Sequence, residues 1–240
     1  MWSGPRNLST ALMRAWGSRA DTAVVDEPLY AAYLAATGLA HPSREAVLAS
    51  QPTDWRVVAD ALTGPVPGGR AVFYQKHMAH HLLSTVGRDW LDGLRHAFLL
   101  RAPAGMLASL ARVTPHPAPA DTGLPQQVAL FDRTADRLGH APPVVDAADI
   151  LRAPEATLRA LCAALGVPFD AAMLAWAPGP RPEDGVWAPH WYAATWASTG
   201  FGPPRDDGDD VPEALRGVLD VCQPFYDRLA AHRLAPRRLA

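Results

Sequence analysis

Two stretches of this sequence carry residues suited to holding an anion. The first is Ser3-Gly4-Pro5-Arg6-Asn7-Leu8-Ser9-Thr10, at the chain start. A turn of small residues entering a helix directs several backbone N–H groups outward, and the helix dipole adds positive potential there. Arg6 contributes a full charge and a fork of donors, and Ser9 and Thr10 contribute hydroxyls. A phosphate or a sulfate suits that set. The Gly-Lys pair of a Walker A loop is missing, which argues against magnesium-dependent ATP hydrolysis. Simple capping by Ser9 or Asn7 is the other use the same residues allow. The second stretch begins at Arg101, directly after the apolar run Phe98-Leu99-Leu100, with Ser109 further on. If a helix starts between them, Ser109 returns to the side of Arg101 after about two turns. Ligands of open α/β sheets bind at such strand ends. A surface arginine and a helix-face serine are the plain alternative.

The elements that must position these residues follow from hydrophobic patterning. Continuous apolar runs at 22–25, 71–76, 97–100 and 143–146 read as strands buried on both faces. Helical spacing is present at 9–16, 104–112 and 154–165, the last with Pro154 at its start and Gly166 as its stop. Residues 211–234 read as two helical segments around Pro224, and 178–210 as a long ordered loop rich in Pro, Gly, Asp and Trp. The alternation predicts an α/β protein, a three-layer P-loop fold with a central, mostly parallel sheet flanked by helices. No linker divides the chain, so residues 1–240 are expected to form one domain.

With two anion stretches in this order, the chain resembles the sulfotransferase family. Those enzymes take a sulfuryl group from 3′-phosphoadenosine 5′-phosphosulfate (PAPS) and release 3′-phosphoadenosine 5′-phosphate (PAP). The family's P-K-S-G-T-T loop is matched by Pro5-Arg6-Asn7-Leu8-Ser9-Thr10, with arginine in place of lysine. Its 3′-phosphate pair, Arg and Ser, is matched by Arg101 and Ser109, although the usual Asp after the Arg is Ala102. Its K-T-H-L strand end is matched by Gln75-Lys76-His77-Met78. Further on, Asp149-Ile150-Leu151, Pro154-Glu155 and Leu161-Cys162-Ala163-Ala164-Leu165-Gly166-Val167-Pro168-Phe169 resemble a later family signature. Arg181 and Gly185-Val186-Trp187 resemble the closing R-K-G-x-x-G-x-W loop, one residue out of step. A bacterial branch reading W-S-G-P-R-N-x-S-T followed by D-E-P is similar at both places.

The resemblance implies site roles. Gly4, Pro5, Arg6, Asn7, Leu8, Ser9 and Thr10 would hold the 5′-phosphosulfate. Arg101 and Ser109 would hold the 3′-phosphate, with Arg181 and Trp187 around the adenosine. His77, matching the family histidine, would accept the proton of the acceptor hydroxyl; a neutral imidazole at pH 7 can do so. Glu27, in Asp26-Glu27-Pro28, is the second candidate base. Lys76 would stabilise the oxygen that the sulfuryl group leaves. His80 and His81 complete a cluster with His77, but adjacent histidines face apart and no third metal ligand is evident, so no metal is expected. They are expected to line the acceptor pocket or to cap the next helix. The aromatic run Trp187 to Tyr192, with Trp196 and Phe201, is expected to wall a small-molecule site.

Composition bounds the rest. The chain has 240 residues, 49% hydrophobic and 19% charged, which suits a globular protein. Its formal net charge of −2 supplies no basic field for nucleic acid, and no basic stripe suits a polysaccharide, so the acceptor is expected to be a small hydroxylated or amine metabolite. The two cysteines, Cys162 and Cys222, make no disulfide framework, and Cys162 falls in a core pattern. With no apolar run of membrane length and no signal-peptide pattern, a cytoplasmic protein is expected. Only Met1 and Trp2 precede Ser3, so the strand before the loop is expected to be truncated, or the true start to lie upstream. The competing functions are a P-loop kinase and an inactive nucleotide-binding relative.

Overall fold

Short β-branched and aromatic runs form the centre of the molecule because they bury both faces at once. In the computed structural model, which describes residues 1–114, 116–204 and 211–235, they form five parallel strands: β1 (Trp2–Ser3), β2 (Thr22–Asp26), β3 (Val72–Met78), β4 (Phe98–Leu100) and β5 (Val144–Asp146). The helices are α1 (Ser9–Gly17), α2 (Tyr30–Thr37), α3 (Arg44–Ser50), α4 (Trp55–Thr63), α5 (Pro103–Leu110), α6 (Leu124–Leu138), α7 (Ala147–Arg152), α8 (Pro154–Leu165), α9 (Ala188–Trp191), α10 (Ala193–Trp196) and α11 (Arg216–Ala230).

The strand order is β2-β3-β1-β4-β5. The central strand is short: β1 has two residues, yet it pairs on both sides, Trp2 with His77 and Phe98, and Ser3 with Met78 and Leu99. The chain leaves β1 toward β2 on one side and later crosses to β4 on the other. The carboxyl end of β1 is therefore a switch point, where open α/β sheets bind ligands.

Helices cover both faces. One layer packs Met106, Leu107 and Leu110 of α5, Val128 and Phe131 of α6, and Cys222 and Leu229 of α11 against Trp2 and Phe98. The opposite layer packs Leu12 and Trp16 of α1 with Leu158, Leu161 and Cys162 of α8 against Tyr74 and Leu99. A smaller aromatic cluster joins Tyr30, Tyr33, Trp187 and Tyr192 beyond the β2 edge.

Two expectations are corrected. The 211–234 segment does not break at Pro224: α11 runs through it. An interior proline costs about 3 kcal/mol, and the burial of Cys222, Phe225, Tyr226 and Leu229 against the core offsets it. The 178–210 segment is not all loop, since α9 and α10 lie within it; its residues 205–210 lie outside the described residues.

Candidate active site

The anion loop is built from a reversal that ordinary residues make only under strain. Arg6 (φ 63°) and Leu8 (φ 69°) are both left-handed, at a cost of about 1–3 kcal/mol each. Such turns present successive N–H groups to one side, forming an anion-binding concavity. Glycine is required at position 4 because a Cβ there would collide with the Thr122 carbonyl oxygen. Gly123 makes the matching approach, and a Cβ on it would lie 3.3 Å from the Gly4 Cα.

Leu8 occupies the N-cap of α1, and no side chain caps the helix. The capping role considered for Ser9 or Asn7 is not what these residues do. Asn7 is buried beneath the loop, its side-chain amide 3.3 Å from the Leu99 carbonyl and against the loop backbone at Gly4 and Pro5. It braces the loop on β4 rather than facing a ligand. The first-turn N–H groups of α1, with Ser9 and Thr10 beside them, are therefore not engaged by a side-chain cap.

The second anion stretch meets the first. Arg101 follows β4 directly, and Ser109 lies on α5 after it. The Arg6 Nε donates to Ser109 Oγ at 3.0 Å, and the Arg101 guanidinium donates to the Arg6 carbonyl at 2.7 Å. Residues nearly a hundred positions apart thus form one basic, hydroxyl-bearing edge.

Two strands away stands a buried charged cluster. Lys76, 1% exposed, donates to Asp26 Oδ1 at 2.7 Å, Glu27 Oε1 at 2.6 Å and the Tyr192 hydroxyl at 2.9 Å. The Tyr192 hydroxyl donates to Asp26 Oδ2 at 2.5 Å and accepts from Trp187 Nε1 at 3.1 Å. Glu27 is left-handed (φ 41°), its N–H donating to the Lys76 carbonyl at 2.9 Å. Burial pushes the Glu27 carboxyl above the usual range and Asp26 adds to this, while Lys76 opposes it. Burial acts to lower the Lys76 ammonium, but Asp26 and Glu27 outweigh it and hold it well above its ordinary value.

His81 borders this cluster. Its ring is stacked between Tyr30 (4.7 Å) and Tyr33 (4.6 Å), and its Nδ1 lies 4.0 Å from Glu27 Oε2. Burial lowers its pKa well below the ordinary value, so the ring is neutral at pH 7. His80 is likewise pushed down, by burial, to about 4.

Several expected positions differ. His77 is not at an open edge. It is 2% exposed and stacked on Trp2 at 4.2 Å, with Nε2 3.3 Å from Gln75 Oε1. The reason is strand alternation: Lys76 faces the carboxylates, so its neighbour His77 faces the opposite layer. Lys76 itself is engaged by three acceptors rather than extended toward the anion loop. Trp187 is 1% exposed and packs beside Tyr192, so it is core rather than an adenosine wall. The Arg181 guanidinium donates to the Ala177 carbonyl at 3.3 Å.

Other residues of the region gave no sequence signal. Asp184 accepts from Arg14 at 2.7 Å, from Trp196 Nε1 at 2.9 Å and from the Arg181 N–H at 2.9 Å. This buried ion pair fastens the 178–196 segment to α1 and brings Tyr192 to the strand ends. Asp26 and Tyr192 were visible only as a member of the D-E-P triplet and as one aromatic in a run.

Comparison with known proteins places this geometry in a family. The family model described as "Sulfotransferase domain" matches residues 1–233. Two Arabidopsis thaliana proteins, named branched-chain-amino-acid aminotransferase-like protein 1 and 2, are 40% and 38% identical to this chain over 232 and 233 residues. Each match takes in 96% of this chain, which spans 41% of the length of either relative. The solved structure of the sulfotransferase domain from the Synechococcus PCC 7002 olefin synthase has the same fold, with a TM-score of 0.54 at 16% identity over 92% of each chain. A match running through both anion stretches and the whole sheet leaves one assignment: the chain belongs to the sulfotransferase domain family.

Proposed function

We propose that this protein transfers a sulfuryl group from PAPS to a hydroxyl or amine of a small-molecule acceptor. The observation that carries the reading is the direct contact of the two anion stretches, Arg6 with Ser109 and Arg101 with the Arg6 carbonyl. A ligand bearing two separated anionic groups matches such an edge; a lone phosphate needs only one of them. The left-handed loop and the N-terminus of α1 would hold the phosphosulfate, and Arg101 with Ser109 the 3′-phosphate. In transfer, the acceptor oxygen or nitrogen forms a bond to sulfur as the bond from sulfur to the bridging oxygen breaks. Arg6 offsets the charge that develops on the leaving phosphate.

Glu27 supports the acid–base part better than His77. Its carboxyl is shifted toward protonation and sits at a strand end, whereas His77 is enclosed between Trp2 and Gln75. Lys76, Asp26 and Tyr192 then act as positioning residues that hold Glu27. Two buried free thiols, Cys162 and Cys222, suit a reducing cytosol.

The test is calorimetric titration of PAP, beside ATP and beside Arg101→Ala. A charge-assisted phosphate contact contributes about 1.5–3 kcal/mol, so the variant is expected to bind PAP at least about tenfold more weakly. ATP binding as tight as PAP, with a magnesium requirement, would favour a phosphotransferase. Absence of PAP binding by folded protein would sink the reading.

A further inference from the structure

A cavity of about 270 Å³ opens beside His81, between α2, the start of α4 and the segment following β3. Its walls are mostly apolar: Ala32 and Ala36 of α2, Trp55, Leu83 and Val86. Tyr33, His81, Thr53 and Thr85 supply its polar groups, and no Lys, Arg, Asp or Glu lines it. Two features of the chain keep this space open. Ala32, Ala35 and Ala36 recur at helical spacing on one side of α2, where longer side chains would fill it. Gly87 lets Trp55 lie flat as a wall, since a Cβ there would come within 2.7 Å of the indole.

His81, the one imidazole in the cavity wall, stands between the cavity and Glu27. His81 ends the short turn Ala79–His81 that follows β3, and both ring faces are covered by Tyr30 and Tyr33. Only its edges remain to interact. The Nδ1 edge is turned toward Glu27, and a closure of about 1 Å would bring the 4.0 Å separation to hydrogen-bond length. Gly123 lies between this turn and the anion loop: a Cβ on it would lie 3.4 Å from the Ala79 Cβ and 3.3 Å from the Gly4 Cα.

We infer that this cavity is the acceptor site, that it selects a compact, uncharged, largely apolar alcohol, phenol or amine, and that His81 carries the acceptor's proton toward Glu27. The inference rests on the sulfotransferase reading above. In the step, the acceptor O–H bond breaks as its oxygen bonds to sulfur and PAP departs. The proton passes to the free nitrogen of His81, and the proton on Nδ1 passes to Glu27. The lining selects against carboxylated and phosphorylated acceptors because it holds no cation to repay their desolvation.

The experiment uses the whole chain with PAP bound, and phenol, 2-naphthol, hexan-1-ol and cyclohexylamine as probes, each beside a carboxylated analogue. Quenching of Trp55 reads occupancy, and turnover with PAPS reads transfer. Ala36→Phe, at the exposed mouth, is expected to weaken probe binding and raise acceptor KM at least about tenfold, with PAP affinity changed less than about twofold. His81→Ala is expected to lower kcat at least about a hundredfold and to be partly rescued by free imidazole, which a purely structural role would not show. Should His81→Ala fail to fold, Ala36→Phe still decides the site. Unchanged acceptor KM in Ala36→Phe, tighter binding of the carboxylated analogues, or no probe binding beside intact PAP binding would overturn the inference. Loss of PAP binding in the unaltered protein would instead overturn the donor reading.

Discussion

The two ends of the sheet's carboxyl edge are built on opposite principles. The donor end, at β1 and β4, uses arginines, hydroxyls and backbone N–H groups supplied by two short segments, and Arg6 is exposed. The end at β2 and β3 is a buried network drawn from four segments: Asp26 and Glu27, Tyr30 and Tyr33, Lys76 to His81, and Trp187 to Tyr192. The first recognises charge that arrives with a ligand. The second carries its own charges, one ammonium shared between two carboxylates, and encloses them from water. The difference teaches that substitutions at the donor end should alter affinity with little change in stability, whereas at the buried end stability and turnover should move together.

Lys76→Met breaks that comparison most severely. It leaves Asp26 and Glu27 buried without their cation, and breaking a buried pair this way costs about 3–5 kcal/mol. A urea midpoint close to that of the unaltered protein would show that the network is hydrated and not the closed cluster described here. Glu27→Gln keeps the shape and removes the acidic function, so turnover is expected to fall about 10²–10⁴-fold with PAP binding retained. His77→Asn is expected to act mainly on stability, through its stacking on Trp2. Loss of turnover confined to the His77 variant would return the base to His77.

Acid should distinguish the two ends next. Burial lowers the pKa of His77 and His81 well below the ordinary value and brings His80 and His96 to about 4. Their neutral folded forms cost nothing above the unfolded pKa near 6.5. Below it the unfolded chain takes up protons that the folded protein refuses, and stability falls toward pH 4, by up to about 1.4 kcal/mol per pH unit for each histidine. Glu27 works the other way, because its raised pKa favours the folded state once protonated. Burial also lowers His41 and raises Asp146, and five histidines against two carboxyls give a net loss in acid, to be read as a falling urea midpoint between pH 6.5 and 4.5. A flat profile would mean that the histidines titrate freely. The smallest effect is expected from Ser109→Ala, which removes one exposed hydroxyl that accepts from the Arg6 guanidinium. About 0.5–1.5 kcal/mol of PAP affinity should be lost, read by calorimetry, with melting unchanged.

The donor end was legible because each of its parts is local. A turn of small residues before a helix, and an arginine after a strand with a serine two helical turns on, are properties of neighbouring residues. The strands were legible for a similar reason, since a run such as Phe98-Leu99-Leu100 can only be buried on both sides. The proton-handling end was not. The K-T-H-L likeness drew attention to His77, but the pleat assigns adjacent residues to opposite faces, and Lys76 took the face toward Glu27. Trp187 read as a ligand wall because an aromatic run in a loop says nothing about which ring turns inward. His81 was read only together with His80, as lining the acceptor pocket or capping the next helix, and nothing in the spacing turned it toward Glu27.

By itself, then, the amino-acid order determined the α/β class, the four longer strands, and the places of Arg101 after a strand and Ser109 on the helix that follows, because these depend on periodicity and on neighbours within one turn or one strand–helix unit. Only the tertiary structure decided that Arg6 reaches Ser109, that Lys76 binds Asp26, Glu27 and Tyr192 together, and that Asp184 fastens the 178–196 segment to Arg14. Those contacts join residues from 49 to 170 positions apart. Their partners are chosen by strand order and helix packing, which no spacing along the chain records.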